Sequence, residues 1–210
     1  MIYPVSVKGV FVTNCYFYID DETGHGFLID PGADAKELLD IVKRNQWTIE
    51  KILLTHGHFD HFGAALELGR RMNCDIMAYH LSDKYLLNPQ MNLSVFCGES
   101  LIVDNTTKFE DGDNIALKNH SDFTLKVISC PGHTEDSVIF YSERDSVVFV
   151  GDTIFRESLG NSEYPGGSLV DLTRSIYTKI FTLPDETVLY SGHTRETTVG
   201  YEKIFHRIFQ

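Results

Sequence analysis

Lys51-Ile-Leu-Leu-Thr-His-Gly-His-Phe-Asp-His61 is the stretch on which the reading of this chain turns. Its first half is a short aliphatic run, the composition of a buried strand. Its second half holds His56, His58, Asp60 and His61. Residues at i and i+2 of an extended segment point to one side, so His56 and His58 can grip one ion together. Asp60 and His61 then fall where a second ion could sit nearby. Imidazole and carboxylate suit Zn²⁺ and related first-row metals, whereas Ca²⁺ and Mg²⁺ favour oxygen throughout.

The same grammar, an apolar strand followed by a polar donor, recurs three times downstream. Val127-Ile-Ser-Cys-Pro-Gly-His133 and Val188-Leu-Tyr-Ser-Gly-His193 each deliver a histidine, and Val147-Val-Phe-Val-Gly-Asp152 delivers a carboxylate. Residues that follow the ends of core strands collect at one sheet edge, so the four strand tips are expected to meet. If Asp152 and a hydroxide both bridge, His56, His58 and His133 serve one ion and Asp60, His61 and His193 the other. A lone His-x-His is common on a surface strand. The full pattern with three further donors, each behind its own strand, is hard to obtain by chance. His25, His80, His120 and His206 stand alone among polar neighbours and read as surface or hydrogen-bonded histidines.

Outward from these segments the chain looks ordinary. Its 210 residues are 42% hydrophobic and 23% charged, a globular composition. Eighteen Lys and Arg against thirty Asp and Glu leave a net charge of −12, which repels a phosphate backbone or an anionic membrane. Neither nucleic acid nor a membrane is therefore an expected partner. No apolar run approaches the roughly 18 residues of a membrane span, and the first residues carry no leader pattern. Cys15, Cys74, Cys97 and Cys130 lie far apart, as buried thiols in a reducing cytoplasm do, so a cytoplasmic location is expected.

No linker divides residues 1–210, which reads as a single domain. Strands are expected at Asn14–Asp20, Gly26–Ile29, Lys51–Leu54, Asp75–Tyr79, Phe123–Ser129, Ser137–Tyr141, Val147–Val150 and Thr187–Tyr190. Helical periodicity marks Asp34–Gln46, Gly63–Arg71, Ser82–Leu87 with Ser82 as N-cap, Val170–Phe181 and Thr198–Phe209. Several strands follow one another directly. That favours an α/β fold of two mixed sheets flanked by helices over one doubly wound parallel sheet. Gly132-His133-Thr134 and Gly192-His193-Thr194 form a faint internal echo.

Taken together, Thr55-His-Gly-His-Phe-Asp-His61, Pro131-Gly-His-Thr134, Gly151-Asp-Thr153 and Ser191-Gly-His-Thr194 resemble the metallo-β-lactamase-fold superfamily, and within it the glyoxalase II-like hydrolases. The resemblance spans nearly the whole chain and implies an αββα sandwich. It implies that His56, His58, Asp60, His61, His133, Asp152 and His193 ligate two Zn²⁺ ions, with Fe or Mn as alternatives at either site. It further implies hydrolysis of a small thioester by a metal-bridging hydroxide, with Asp60 and Asp152 as the catalytic carboxylates. Phe27-Leu-Ile-Asp-Pro-Gly32 looks like the family's strand and turn, so Asp30 would orient a ligand imidazole; a plain turn aspartate before Pro31 is the other reading. Phe155-Arg-Glu-Ser-Leu-Gly and Tyr164-Pro-Gly-Gly-Ser168 resemble the loop after the bridging aspartate, which makes Arg156 and Tyr164 candidate substrate contacts.

Relatives differ in their ligands. A cysteine at the second metal marks some β-lactamases, but Asp152 holds that place here. Two loops depart from the family pattern, at Gly160-Asn-Ser-Glu163 and at Glu135-Asp136. Seventeen residues follow His193, so the glutathione-binding helical domain of glyoxalase II proper is not expected. Three alternatives stay open: a lactone hydrolase; an iron-dependent persulfide dioxygenase using His56, His133 and Asp152 around one iron; and a non-catalytic metal-binding module. The oligomeric state is not legible.

Overall fold

A computed structural model describes residues 1–208, so Phe209 of the expected last helix lies outside the described residues. The chain forms two compact units. The first comprises Met1–Phe109 and Ala116–Phe123, and the second comprises Glu110–Ile115 and the chain from Thr124 onward.

The first unit is built on a mixed six-stranded sheet. Its strands β1 (Ile2–Lys8), β2 (Val12–Ile19), β3 (His25–Ile29), β4 (Thr48–Leu53), β5 (Asp75–Tyr79) and β6 (Thr107–Phe109) lie side by side in that order. β1–β2 and β2–β3 run antiparallel, and the remaining neighbours run parallel. Parallel neighbours need crossovers. These are supplied by α1 (Ala35–Asn45) and then by α2 (Phe59–Phe62) and α3 (Ala65–Met72), with α4 (Asp83–Leu86) following β5. Helix α1 buries Leu38, Leu39 and Ile41 on one stripe, which packs with Leu68 of α3 and with Phe17, Leu28 and Ile52 of the sheet. Asp34 precedes α1 in a left-handed conformation, and its side chain accepts the Lys8 N–H at 2.6 Å rather than capping the helix. Ser82 occupies the N-cap position of α4 as expected. Its backbone is already helical, however, and its hydroxyl makes no cap.

The second unit carries the second mixed sheet. β7 (Asn114–Ala116), β8 (Thr124–Ser129), β9 (Val138–Ser142) and β10 (Val147–Gly151) are joined, after a small hairpin of β11 (Ile154–Phe155) and β12 (Ser158–Leu159), by β13 (Val188–Ser191) and β14 (Thr197–Thr198). The order across the sheet is β14-β13-β10-β9-β8-β7, with β10 and β13 parallel and β10 and β9 antiparallel. All five residues of β10 are buried, as an unbroken apolar run requires. Helix α5 (Leu169–Ser175) starts at a Ser168 cap and passes into a π-helical turn over Ile176–Ile180; α6 is Val199–Ile208. Leu172, Ile176 and Ile180 pack with Val148, Val150 and Leu189 of the sheet and with Val199 of α6. Two mixed sheets with accompanying helices are thus what the chain forms.

The expected strands lie within a few residues of the observed ones. The strand β1 went unread because only Val5 and Val7 are buried in it, and Pro4 weakens its strand signature. The expected helix Gly63–Arg71 is preceded by α2, a separate turn that carries Asp60 and His61.

Candidate metal centre

In the first unit, β3 and β4 are parallel neighbours, so their C-terminal ends share an edge. Asp30 follows β3 directly, with φ 51°, and the donor segment leaves β4. His58 is extended (φ −77°, ψ 143°), and Asp60 and His61 sit in the α2 turn. His56, His58 and His61 are all buried, at 2% exposure or less.

The hydrogen bonds settle which ring nitrogens are left for a ligand. Asp30 accepts the Thr55 N–H at 2.8 Å and the Thr55 hydroxyl at 2.6 Å. It also lies 3.0 Å from His61 Nδ1. A carboxylate only accepts, so Nδ1 of His61 carries the proton and Nε2 presents a lone pair. The Thr55 hydroxyl donates its one proton to Asp30. Toward His56 Nδ1, 3.1 Å away, it can then only accept, which leaves His56 Nε2 bare as well. That Nε2 is 3.2 Å from His58 Nδ1. Two nitrogens each roughly 2.0–2.1 Å from one tetrahedral ion stand about 3.3 Å apart, so the pair is spaced as two ligands of a single cation. Asp60 Oδ2 lies 3.6 Å from His61 Nε2 and accepts the Thr13 hydroxyl at 3.1 Å. Asp60 also constrains the turn ahead of it: a Cβ on Gly32 would stand 1.6 Å from the Asp60 carbonyl oxygen, so only glycine fits there.

In the second unit, Asp152 follows β10 and His193 leaves β13, its parallel neighbour, so both emerge at the same edge. β8 lies two antiparallel steps from β10 and therefore points the same way, bringing His133 to that edge too. Asp152 Oδ2 is 3.2 Å from His193 Nε2 and 3.7 Å from His133 Nε2, one carboxylate oxygen between two imidazoles. His133 Nδ1 donates to the Asn161 carbonyl at 2.6 Å, leaving its Nε2 as the ligand atom. Each Gly-His-Thr turn is closed by a hydroxyl pair: Thr134 with Ser137 at 2.6 Å, and Thr194 with Ser191 at 2.8 Å. The sequence echo thus corresponds to a shared local device. Gly160 is the counterpart of Gly32, since a Cβ there would lie 1.7 Å from the Asp152 carbonyl oxygen.

Both donor sets fit a metal by their chemistry: imidazoles beside carboxylates, with the Nδ1 atoms of buried His56, His61 and His133 satisfied elsewhere. The two candidate substrate contacts differ. Tyr164 has its ring 6.2 Å from His133, edge to face. The Arg156 guanidinium lies 4.5 Å from the centre of the Tyr201 ring and 3.5 Å from Glu157, while the backbone N–H of Arg156 donates to the Thr194 hydroxyl at 3.0 Å. Cys130 is fully buried, which pushes its thiol up to about 12 and removes it as a nucleophile. The supporting roles of Thr13, Thr55 and the Asn161 carbonyl were not anticipated. Thr55 alone carried a signal, its place within the donor motif.

A family model described as the metallo-beta-lactamase superfamily matches residues 9–193. Hydroxyacylglutathione hydrolase GloC of Haemophilus influenzae is 31% identical over 206 residues, covering 96% of this chain and 93% of the relative. Among solved structures, the B3 metallo-β-lactamase BLEG-1 is 32% identical with a TM-score of 0.89, covering 97% of each chain. TTHA1623, solved in a di-iron-bound form, is 30% identical with a TM-score of 0.84, covering 96% of each chain.

Proposed function

The chain belongs to the metallo-β-lactamase superfamily, and from that premise we propose that it cleaves a small thioester, as a hydroxyacylglutathione hydrolase does. It has the superfamily's α/β fold of two mixed sheets with flanking helices, and it is a metal-dependent hydrolase with a His-rich metal site. The proposal assigns His56, His58, Asp60, His61, His133, Asp152 and His193 to one binuclear centre, with zinc as its metal and iron, as in TTHA1623, as the alternative. The observation that carries it is Asp152, whose Oδ2 stands between the imidazoles of His193 and His133 in the manner of a linking ligand.

When bound, a pair of divalent ions supplies a water deprotonated near neutral pH and polarises the substrate carbonyl. The protein's own part is orientation. Asp30 and the Asn161 carbonyl keep His61 and His133 in the tautomer with Nε2 bare. The Ser137 and Ser191 hydroxyls are held in their turns, and the Cys130 thiol is protonated, so the chain offers no nucleophile from these groups. A thiolate leaves without needing a proton, which matches a site with no dedicated acid assigned. Tyr164 and Arg156 are the proposed substrate contacts. The likeness to GloC supports a thioester over a lactone.

Purified full-length protein should contain about two metal ions per chain and turn over S-lactoylglutathione faster than a simple lactone. Turnover that persists after complete chelation overturns the reading. One iron per chain with oxygen uptake on a persulfide replaces it with a dioxygenase.

A further inference from the structure

Two histidines outside the donor motifs come together at the opposite end of β3. Asp30 follows the last residue of that strand, and His25 is its first. His25 and His120 line a cavity of about 180 Å³ with Thr23, Glu50, Leu117 and Asn119. Each imidazole is gripped at Nδ1 by a carboxylate: His25 by Glu50 Oε1 at 2.7 Å and His120 by Asp20 Oδ2 at 2.7 Å. Both carboxylate side chains are buried, at 7% and 1% exposure.

Burial alone raises the pKa of each carboxyl, yet both stay below the ordinary range, because donors outweigh it. Asp20 accepts the Thr23 hydroxyl at 2.7 Å and the Glu22 N–H at 3.4 Å; Glu50 accepts the Lys118 N–H at 2.8 Å. Two ionised acceptors fix the proton of each neutral ring on Nδ1, so Nε2 is the atom each ring has left for a ligand. This is the arrangement by which Asp30 holds His61. It is also the usual outer partnership of a metal-bound histidine. The segment bearing His120 is held in place, since Phe123 stacks on Tyr18 with ring centres 4.4 Å apart and Lys51 Nζ donates to the Ala116 carbonyl at 2.5 Å. The half-exposed rings, 34% and 24%, leave a way in for an ion.

We propose that this cavity is a metal site in its own right, taking one late first-row divalent ion on the Nε2 atoms of His25 and His120, with the Asn119 side-chain oxygen and water completing the coordination. Two imidazoles beside two buried carboxylates favour such a cation, with Cu²⁺ the tightest of the series. The site is independent of the thioester reading.

The test uses the full chain with its resident metals loaded, titrated with Cu²⁺ and followed by calorimetry, electron paramagnetic resonance and metal analysis. One further equivalent of Cu²⁺ should bind without displacing resident metal, with a signal split by two nitrogens. A His25→Asn/His120→Asn double variant should lose that equivalent while resident metal and turnover stay unchanged. Glu50→Gln should weaken it by about 10–100-fold. The absence of a further equivalent in the unaltered chain overturns the proposal without any variant having to fold. So does its persistence in the double variant.

Discussion

The two donor sets are built by different means. In the first unit, four candidate donors fall between His56 and His61, and their geometry is local: an extended dipeptide step followed by one helical turn. In the second unit, His133 and His193 are sixty positions apart, and the sheet sets their geometry through the pairing of β8, β9, β10 and β13. The supports differ as well. His61 leans on a side chain, Asp30, whereas His133 leans on a main-chain carbonyl, that of Asn161. A local set depends on the side chains around it. A set placed by strands depends on the sheet, and its histidine at 133 is held by a carbonyl that every side chain at position 161 would leave in place.

The strongest way to break this comparison is to remove one donor from each set. His58→Ala and Asp152→Ala should each abolish hydrolysis, a loss well beyond the about 10–100-fold typical of an outer partner, and each should lower metal content. Turnover measured alongside metal analysis checks this. An Asp152→Ala enzyme that kept its activity would mean that the first set works alone and that the second is structural.

A smaller effect sharpens the contrast in supports. Asp30→Asn places an amide against His61 Nδ1 and the Thr55 hydroxyl, and the fixed tautomer is lost. Metal affinity should fall by about 10–100-fold, read by competition with a chelator. Asn161→Ala should leave affinity nearly unchanged, because the carbonyl that holds His133 survives the substitution. Equal losses from the two changes would erase the distinction drawn here.

How much of this was legible follows the same division. The strands β4, β8, β10 and β13 announce themselves as apolar runs, and the donor after each run is visible by residue type alone. The hairpin of β11 and β12 and the short β14 span two residues each, too few to show any period. The supports were hidden for physical reasons. A backbone carbonyl has no residue signature, and Thr13 reaches Asp60 across forty-seven positions. His25 and His120 read as isolated because their partners, Glu50 and Asp20, lie twenty-five and one hundred positions away. Pairing across such distances is set by the sheet, which brings Asp20 of the β2 end beside His25 of the β3 start.

The least effect concerns that distant pair and is seen only through its pH dependence. The Asp20 carboxyl is buried, which by itself raises its pKa, but the Thr23 hydroxyl, the His120 imidazole and the Glu22 N–H hold it at about 2, against an ordinary 3.8. A group whose folded-state pKa is depressed binds protons more readily in the unfolded chain. Its contribution to stability is therefore complete above its unfolded pKa, near pH 4, and is lost as the pH falls toward 2. Asp20→Asn should lower the urea midpoint at pH 7. The gap from the unaltered protein should narrow steadily below pH 4, as the native carboxylate loses its advantage over an amide. A gap that stayed constant down to pH 3 would show that Asp20 acts there by shape rather than by charge. The β2–β3 corner would then resemble the second donor set, held by the backbone, and not the first.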